Sequence, residues 1–177
     1  MITVEEHQKT AQALTLIRCG FRSKIVEHAT GLRMRIVRSL YKEIWGRSPT
    51  AGMLPQSVNV VKSWERLAQA SLFADMYHGL HGSFIYRQVD ITRVLRAYRA
   101  YAALHAQTAL PNQLLDINAA WVIARDLRAG TARLTRCKCG YPTMLLAHQH
   151  KRMLCPICQG PVRPTQLNEA VHRLRPS

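Results

Sequence analysis

Acidic residues are scarce in this sequence: 10 Asp and Glu stand against 25 Lys and Arg in 177 residues, a formal net charge of +15. No carboxylate occurs anywhere between Leu127 and Asn168. So one-sided a balance calls for a polyanionic partner, nucleic acid or an acidic membrane surface. Long apolar runs are missing too. No stretch reaches the roughly 18 residues a membrane-spanning helix needs, so a membrane protein is not expected. The N-terminus, Met1-Ile2-Thr3-Val4-Glu5-Glu6, lacks the basic region and apolar run of a signal peptide, which makes a cytoplasmic protein the expectation. Aromatic residues make up only 7% and there is no internal repeat or low-complexity segment.

What is present is enough apolar material, 47%, for a proper core. Arg supplies 19 of the 25 cations, and its planar fork suits phosphate and guanine edges better than Lys does. Thr3-x-x-Glu6 predicts a capping box opening a first helix, followed by Ala13, Leu14, Ile17 and Phe21 at helical spacing. Val26, Leu32, Ile36, Val37 and Leu40 continue helical turns, interrupted at Thr30-Gly31. The Pro- and Gly-containing stretch 46–57 reads as a loop. A long helix is expected over Val58–Leu80, with Trp64, Leu67, Leu72 and Met76 inward. Asp90 caps the next helix, striped by Val94, Leu95, Tyr98 and Tyr101, and Pro111-Asn112 opens the last, which Gly130 ends. The expected fold is all-α, with a possible helix-turn-helix-like element. A helical domain over 1–130 precedes a small cysteine module over 131–160 and a basic, Pro-containing tail over 161–177.

Four of the five cysteines crowd into Cys137-Lys-Cys139-Gly140 and Cys155-Pro-Ile-Cys158, fifteen residues apart. Two turn-borne pairs at this spacing suit the tetrahedron of soft ligands that structural zinc prefers. The first pair is one residue shorter than the usual Cys-x-x-Cys. Four small buried hydrophobes is the bland alternative, but a module this small needs a metal to fold. His148 and His150 are reserve ligands, and Cys19 reads as a core cysteine. One structural zinc per chain is expected on Cys137, Cys139, Cys155 and Cys158. Its shell would be closed, and the His-x-Glu or Cys-x-Glu tripeptide of zinc deaminases is absent, so no enzyme is expected. Four thiolates around Zn²⁺ would lower the net charge to about +13, with Arg136, Lys138, Lys151 and Arg152 flanking.

Cations gather in two regions. Arg18–Arg47 carries eight against two acids, and Arg128–Ser177 nine against Glu169 alone. Residues 23–42 fit a helix-turn-helix pattern with Gly31 at the turn and Arg33, Arg35 and Arg38 facing outward; a plain helical hairpin fits as well. Arg33, Arg35 and Arg38, with Lys138, Lys151 and Arg152 as phosphate contacts, are the candidate DNA-binding residues. An RNA- or ribosome-binding zinc protein is the alternative, disfavoured because the few aromatics fall on core-like positions. A metal-dependent hydrolase would need an open, carboxylate-bearing site.

Ile36-Val-Arg-Ser-Leu-Tyr-Lys-Glu-Ile44, Ser48-Pro-Thr-Ala-Gly-Met-Leu-Pro55, Trp64-Glu65, Ala70-Ser-Leu-Phe73, Ala97-Tyr-Arg-Ala-Tyr101 and Ala120-Trp-Val-Ile-Ala-Arg125 appear in order, with Ala147-His-Gln149 ahead of the second cysteine pair. Across residues 8–160 the chain resembles the flagellar transcriptional regulator FlhC family. The resemblance implies a bacterial cytoplasmic activator of flagellar operons. It implies work with a small helical FlhD-type partner, two FlhC-type chains to four, on double-stranded promoter DNA with RNA polymerase. It also carries the four zinc ligands onto Cys137, Cys139, Cys155 and Cys158, although the family's first pair is normally separated by two residues. Trp45, Met53 and Leu54 are candidate anchors for a partner, with a core role equally open.

Overall fold

A computed structural model describes residues 3–50, 52–106, 114–147 and 154–159. The expected helix start at Pro111-Asn112, the reserve ligands His148 and His150, the cations Lys151 and Arg152, and the tail lie outside the described residues. The described chain is mostly helical, with a two-stranded sheet after its last helix. It divides into two compact units, residues 1–55 with 116–118, and residues 56–115 with 119–177.

The first unit holds α1 (Val4–Arg18), α2 (Ser23–Thr30) and α3 (Met34–Trp45). The Thr3–Glu6 capping box forms in both directions, Thr3 N donating to the Glu6 carboxylate at 3.1 Å and Glu6 N to Thr3 Oγ1 at 3.2 Å. Gly31 ends α2 at φ +69°, where its N–H donates to Glu27 O. That left-handed position strains any residue with a Cβ, so the interruption seen at Thr30-Gly31 is a true helix stop. Ala13, Leu16, Ile17, Phe21, Ile25, Val26, Leu32 and Val37 form the core of this unit. Asn118 joins it by accepting from Arg22 N at 2.7 Å and donating to Gly20 O at 3.1 Å.

The second unit holds α4 (Ser57–Val60), α5 (Trp64–His81), a 3₁₀ turn (Gly82–Tyr86), α6 (Ile91–Ala106) and most of α7 (Ile117–Ala129). The single helix expected over 58–80 breaks at 61–63. Ser63 takes an extended backbone and its hydroxyl accepts from Arg66 N, capping α5. The β-branched Val60 and Val61 offer a preceding helix little support. The break shifts the helix face. Trp64, expected inward, stands 64% exposed on the first turn, while Leu67, Ala70, Ser71, Phe73, Ala74 and Tyr77 point inward. Leu72 and Met76 are half-buried.

Asp90 caps α6 as expected, accepting from Thr92 N at 2.8 Å and Arg93 N at 3.1 Å. Between α5 and α6, Phe73 stacks on Tyr77 and meets Tyr101 edge-on. The Tyr101 hydroxyl donates to Gln69 and accepts from Leu115 N. In α7, residues 119–124 and 126–127 are all buried, the mark of an enclosed helix. Asp126 is buried there, and its carboxylate accepts from Ser57 N at 2.9 Å and Arg125 Nε at 2.8 Å. Gly130 ends α7 at φ +75°.

The change of composition near residues 130–134 marks the passage from α7 into a hairpin. Its strands are β1 (Ala132–Arg136) and β2 (Pro142–Leu146), antiparallel with Ala132 opposite Leu146 and Arg136 opposite Pro142. Ala132, Thr135, Thr143, Met144 and Leu146 are buried. The hairpin packs on α5 within the second unit.

Candidate metal centre and basic face

The turn of that hairpin carries the first cysteine pair. Cys137 follows β1 directly, and its N–H donates to Tyr141 O at 2.9 Å. Gly140 donates back to Cys137 O at 2.9 Å and holds φ +86°. A five-residue turn closed this way directs both Sγ atoms to one side with only Lys138 between them. The second pair sits on its own turn, where Ile157 N donates to Cys155 Sγ at 3.5 Å and Gln159 N to Cys155 O at 2.9 Å.

The two turns bring all four Sγ atoms within 4.8 Å of one another. Cys137 and Cys158 stand 3.5 Å apart, Cys139 and Cys155 3.7 Å. Four sulfurs at the Zn–S distance of about 2.3 Å around one tetrahedral ion lie about 3.8 Å apart. A disulfide needs about 2.05 Å, so the spacing fits a shared ion and not a bridge. Cys139 and Cys158 are exposed, whereas Cys137 and Cys155 are buried, which removes the reading of four apolar core residues. The short first pair therefore reaches the cluster: the hairpin turn supplies what the missing residue would have. No other cluster of His, Cys, Asp or Glu close enough to share an ion occurs among the described residues.

The electrostatics of the four thiols are compatible with a shared cation. Burial works to raise Cys155, yet the Cys158 and Ile157 N–H groups and the thiols of Cys139 and Cys137 outweigh it and lower it to about 6. For Cys139, the Tyr141 N–H favours the thiolate. Desolvation and the sulfurs of Cys158, Cys155 and Cys137 win instead, and push it up to about 12. One thiolate in the cluster is held at its neighbours' expense, and four can coexist only around a positive ion.

One side-chain row fastens this hairpin to the helices, and it was not foreseen. Ala68, Ser71 and Asp75 recur at i, i+3 and i+7 along α5. Tyr141 donates its hydroxyl to Ala68 O at 3.2 Å, Met144 N donates to Ser71 Oγ at 2.9 Å, and Arg136 pairs with Asp75 at 3.0 Å. Burial, then the negative charge near Cys155 and Asp75, raises the Tyr141 hydroxyl and keeps it a donor. Arg136 also donates to Gly140 O, so its charge is tied to the hairpin and α5.

Gln159 holds φ +54°, unusual for a residue with a Cβ. Gln159→Gly should relieve about 1 kcal/mol of that strain and raise the thermal midpoint of the metal-loaded protein, as read by calorimetry.

The basic candidates sit as follows. Arg33 is the N-cap of α3, and Arg35 and Arg38 lie on its exposed face, opposite buried Val37. Lys138 is exposed between two cysteines. None of these four takes part in an ion pair among the described residues. Trp45 is 50% exposed and Met53 91%, while Leu54 is half-buried. Trp64 is also exposed, while every other Phe, Tyr and Trp is buried or half-buried, so most aromatics do stand at core-like positions, with Trp45 and Trp64 as the exceptions. Cys19, expected in the core, is half-buried at the end of α1.

Comparison with known proteins decides the family. The profile described as flagellar transcriptional activator (FlhC) matches residues 2–171. The chain belongs to the FlhC family. It is 32% identical over 161 residues to the flagellar transcriptional regulator FlhC of Verminephrobacter eiseniae (strain EF01-2), covering 90% of this chain and 86% of that one. The FlhC of Serratia marcescens is 33% identical, covering 90% and 82%, and that of Yersinia enterocolitica 32%, covering 90% and 83%. Membership makes this chain a flagellar transcriptional activator. No described helix is long and apolar enough to cross a membrane.

Proposed function

We propose that the chain is the DNA-contacting subunit of a cytoplasmic activator complex. It binds promoters of flagellar operons together with a small FlhD-type partner, two FlhC-type chains to four FlhD-type chains, and engages RNA polymerase. The reading has no catalytic step. Arg33, Arg35 and Arg38 meet phosphates or base edges from α3, and Lys138, Lys151 and Arg152 meet phosphates from the cysteine module. Cys137, Cys139, Cys155 and Cys158 hold one zinc ion, which supplies a cross-link and no Lewis-acid chemistry. Residues 1–130 serve partner and DNA contact, and 131–160 form the zinc module.

The observation that carries this reading is the exposed α3 face with Arg35 and Arg38 one turn apart and no ion-pair partner among the described residues. Such a face suits a polyanion. Its test is the doubly substituted Arg35→Gln/Arg38→Gln chain, co-expressed with the FlhD-type partner and titrated with duplex promoter. Two lost phosphate contacts should lower the slope of log K against log salt by about 1.8 and reduce flagellar operon transcription. An unchanged slope with unchanged transcription would remove α3 from the interface. The exposure of Trp45 and Trp64 keeps one competitor in the same titration, since exposed aromatics can stack on bases. Structured RNA should compete poorly; displacement of the promoter by RNA at equal concentration would favour the RNA-binding alternative.

A further inference from the structure

A second arginine row, far from α3 in sequence, lies on α6. Every Lys or Arg position from 63 to 137 is Arg. Three of these, Arg93, Arg96 and Arg99, follow one another at i, i+3 and i+6 on α6 and fall within a sector about 120° wide. The buried stripe of Ile91, Val94, Leu95, Ala97 and Tyr101 faces the other way, and Arg96 stands opposite its centre. Arg96 and Arg99 are exposed and take part in no ion pair among the described residues.

The head of the row is fixed in place. The Arg93 guanidinium lies 3.7 Å over the Phe84 ring and 3.7 Å from Asp90, which is occupied in capping α6. Arg87 is exposed at the end of the 3₁₀ turn, three residues from Phe84. The positive field is felt nearby. His81 is held below its usual range by burial first, although its ring bonds Arg93 O, and then by the charges of Arg93 and Arg96, with Asp90 opposing.

We propose that Arg96 and Arg99, led by the anchored Arg93, contact the phosphate backbone of duplex DNA as a site separate from α3. The row rises about 9 Å along the helix axis, comparable to the rise of two or three base pairs along the duplex axis at about 3.4 Å each. The Arg96 and Arg99 forks, in no ion pair among the described residues and led by an anchored Arg93, suit a charged backbone. Contacts of this kind to phosphates carry no sequence information. The site therefore adds sequence-independent affinity. The inference rests on the reading that the chain binds DNA.

The test uses the full, zinc-loaded chain with its FlhD-type partner in three forms: unsubstituted, Arg35→Gln/Arg38→Gln, and Arg96→Gln/Arg99→Gln. Each is titrated with promoter and with scrambled duplex across a salt series, and circular dichroism checks folding. The α6 form should keep its helix content, lower the salt slope by about 1.8, and lose affinity by a similar factor for both duplexes. A charge-retaining Arg96→Lys/Arg99→Lys form should recover most of the slope. If the unsubstituted complex binds no duplex, the underlying reading fails. If it binds and the α6 form keeps its slope, only the α6 site is overturned. A loss confined to the promoter, or a loss of partner from the purified complex, also overturns it, since α6 would then read sequence or dock protein.

Discussion

Cys155→Ser should abolish metal binding, hairpin order and promoter binding together. Cys155 is the most buried of the four cysteines at 1% exposure, and its Sγ also accepts from Ile157 N. A serine hydroxyl is a poor ligand for the ion a thiolate holds. Metal affinity should fall by more than the roughly 10- to 100-fold that losing a ligand's outer partner already causes. In a small module, metal binding is folding free energy, so β1 and β2 should lose their pairing. The measurements are zinc content, protease cleavage across residues 132–146, and duplex binding at matched salt. Retained promoter affinity in this variant would separate the metal from the binding surface.

Ser71→Ala asks whether the hairpin is fastened to α5 or merely lies near it. Ser71 is fully buried, and its hydroxyl donates to Leu67 O at 2.7 Å while accepting from Met144 N at 2.9 Å. Met144 is itself fully buried. Removing the hydroxyl strands a backbone N–H without water, at a cost of about 1–3 kcal/mol. Urea unfolding of the metal-loaded protein should show a lower midpoint. Amide exchange should quicken through β2, and the four cysteines should still bind zinc. Exchange unchanged in β2 would mean that Tyr141 and Arg136 suffice.

Much of this was legible along the chain where the determinants are local. Thr3 with Glu6, Gly31, Asp90 and Gly130 each mark a helix end through a bond or a dihedral set within a few residues. The cysteine cluster was legible because metal spacing is a strong signal. The hairpin was not. Its strands run five residues each, too short for alternation to stand out, although Thr135 opposite Thr143 around Cys-x-Cys-Gly was a usable hint. The α5 row was illegible in principle, since Ser71 and Met144 are 73 residues apart and nothing local marks Ser71 as an acceptor. The break at 61–63 came from Ser63 outcompeting a weak valine-rich turn, and Trp64 went outward with it.

Four thiolates clamping one ion would hold the hairpin on α5. Cobalt substitution in the full chain tests it most directly, with hydrogen exchange followed on the same sample. The account predicts the absorption of a tetrahedral four-sulfur cobalt site, and protection of residues 132–146 that is lost on chelation. A spectrum with fewer than four sulfurs, or a hairpin equally protected after the metal is stripped, would contradict it.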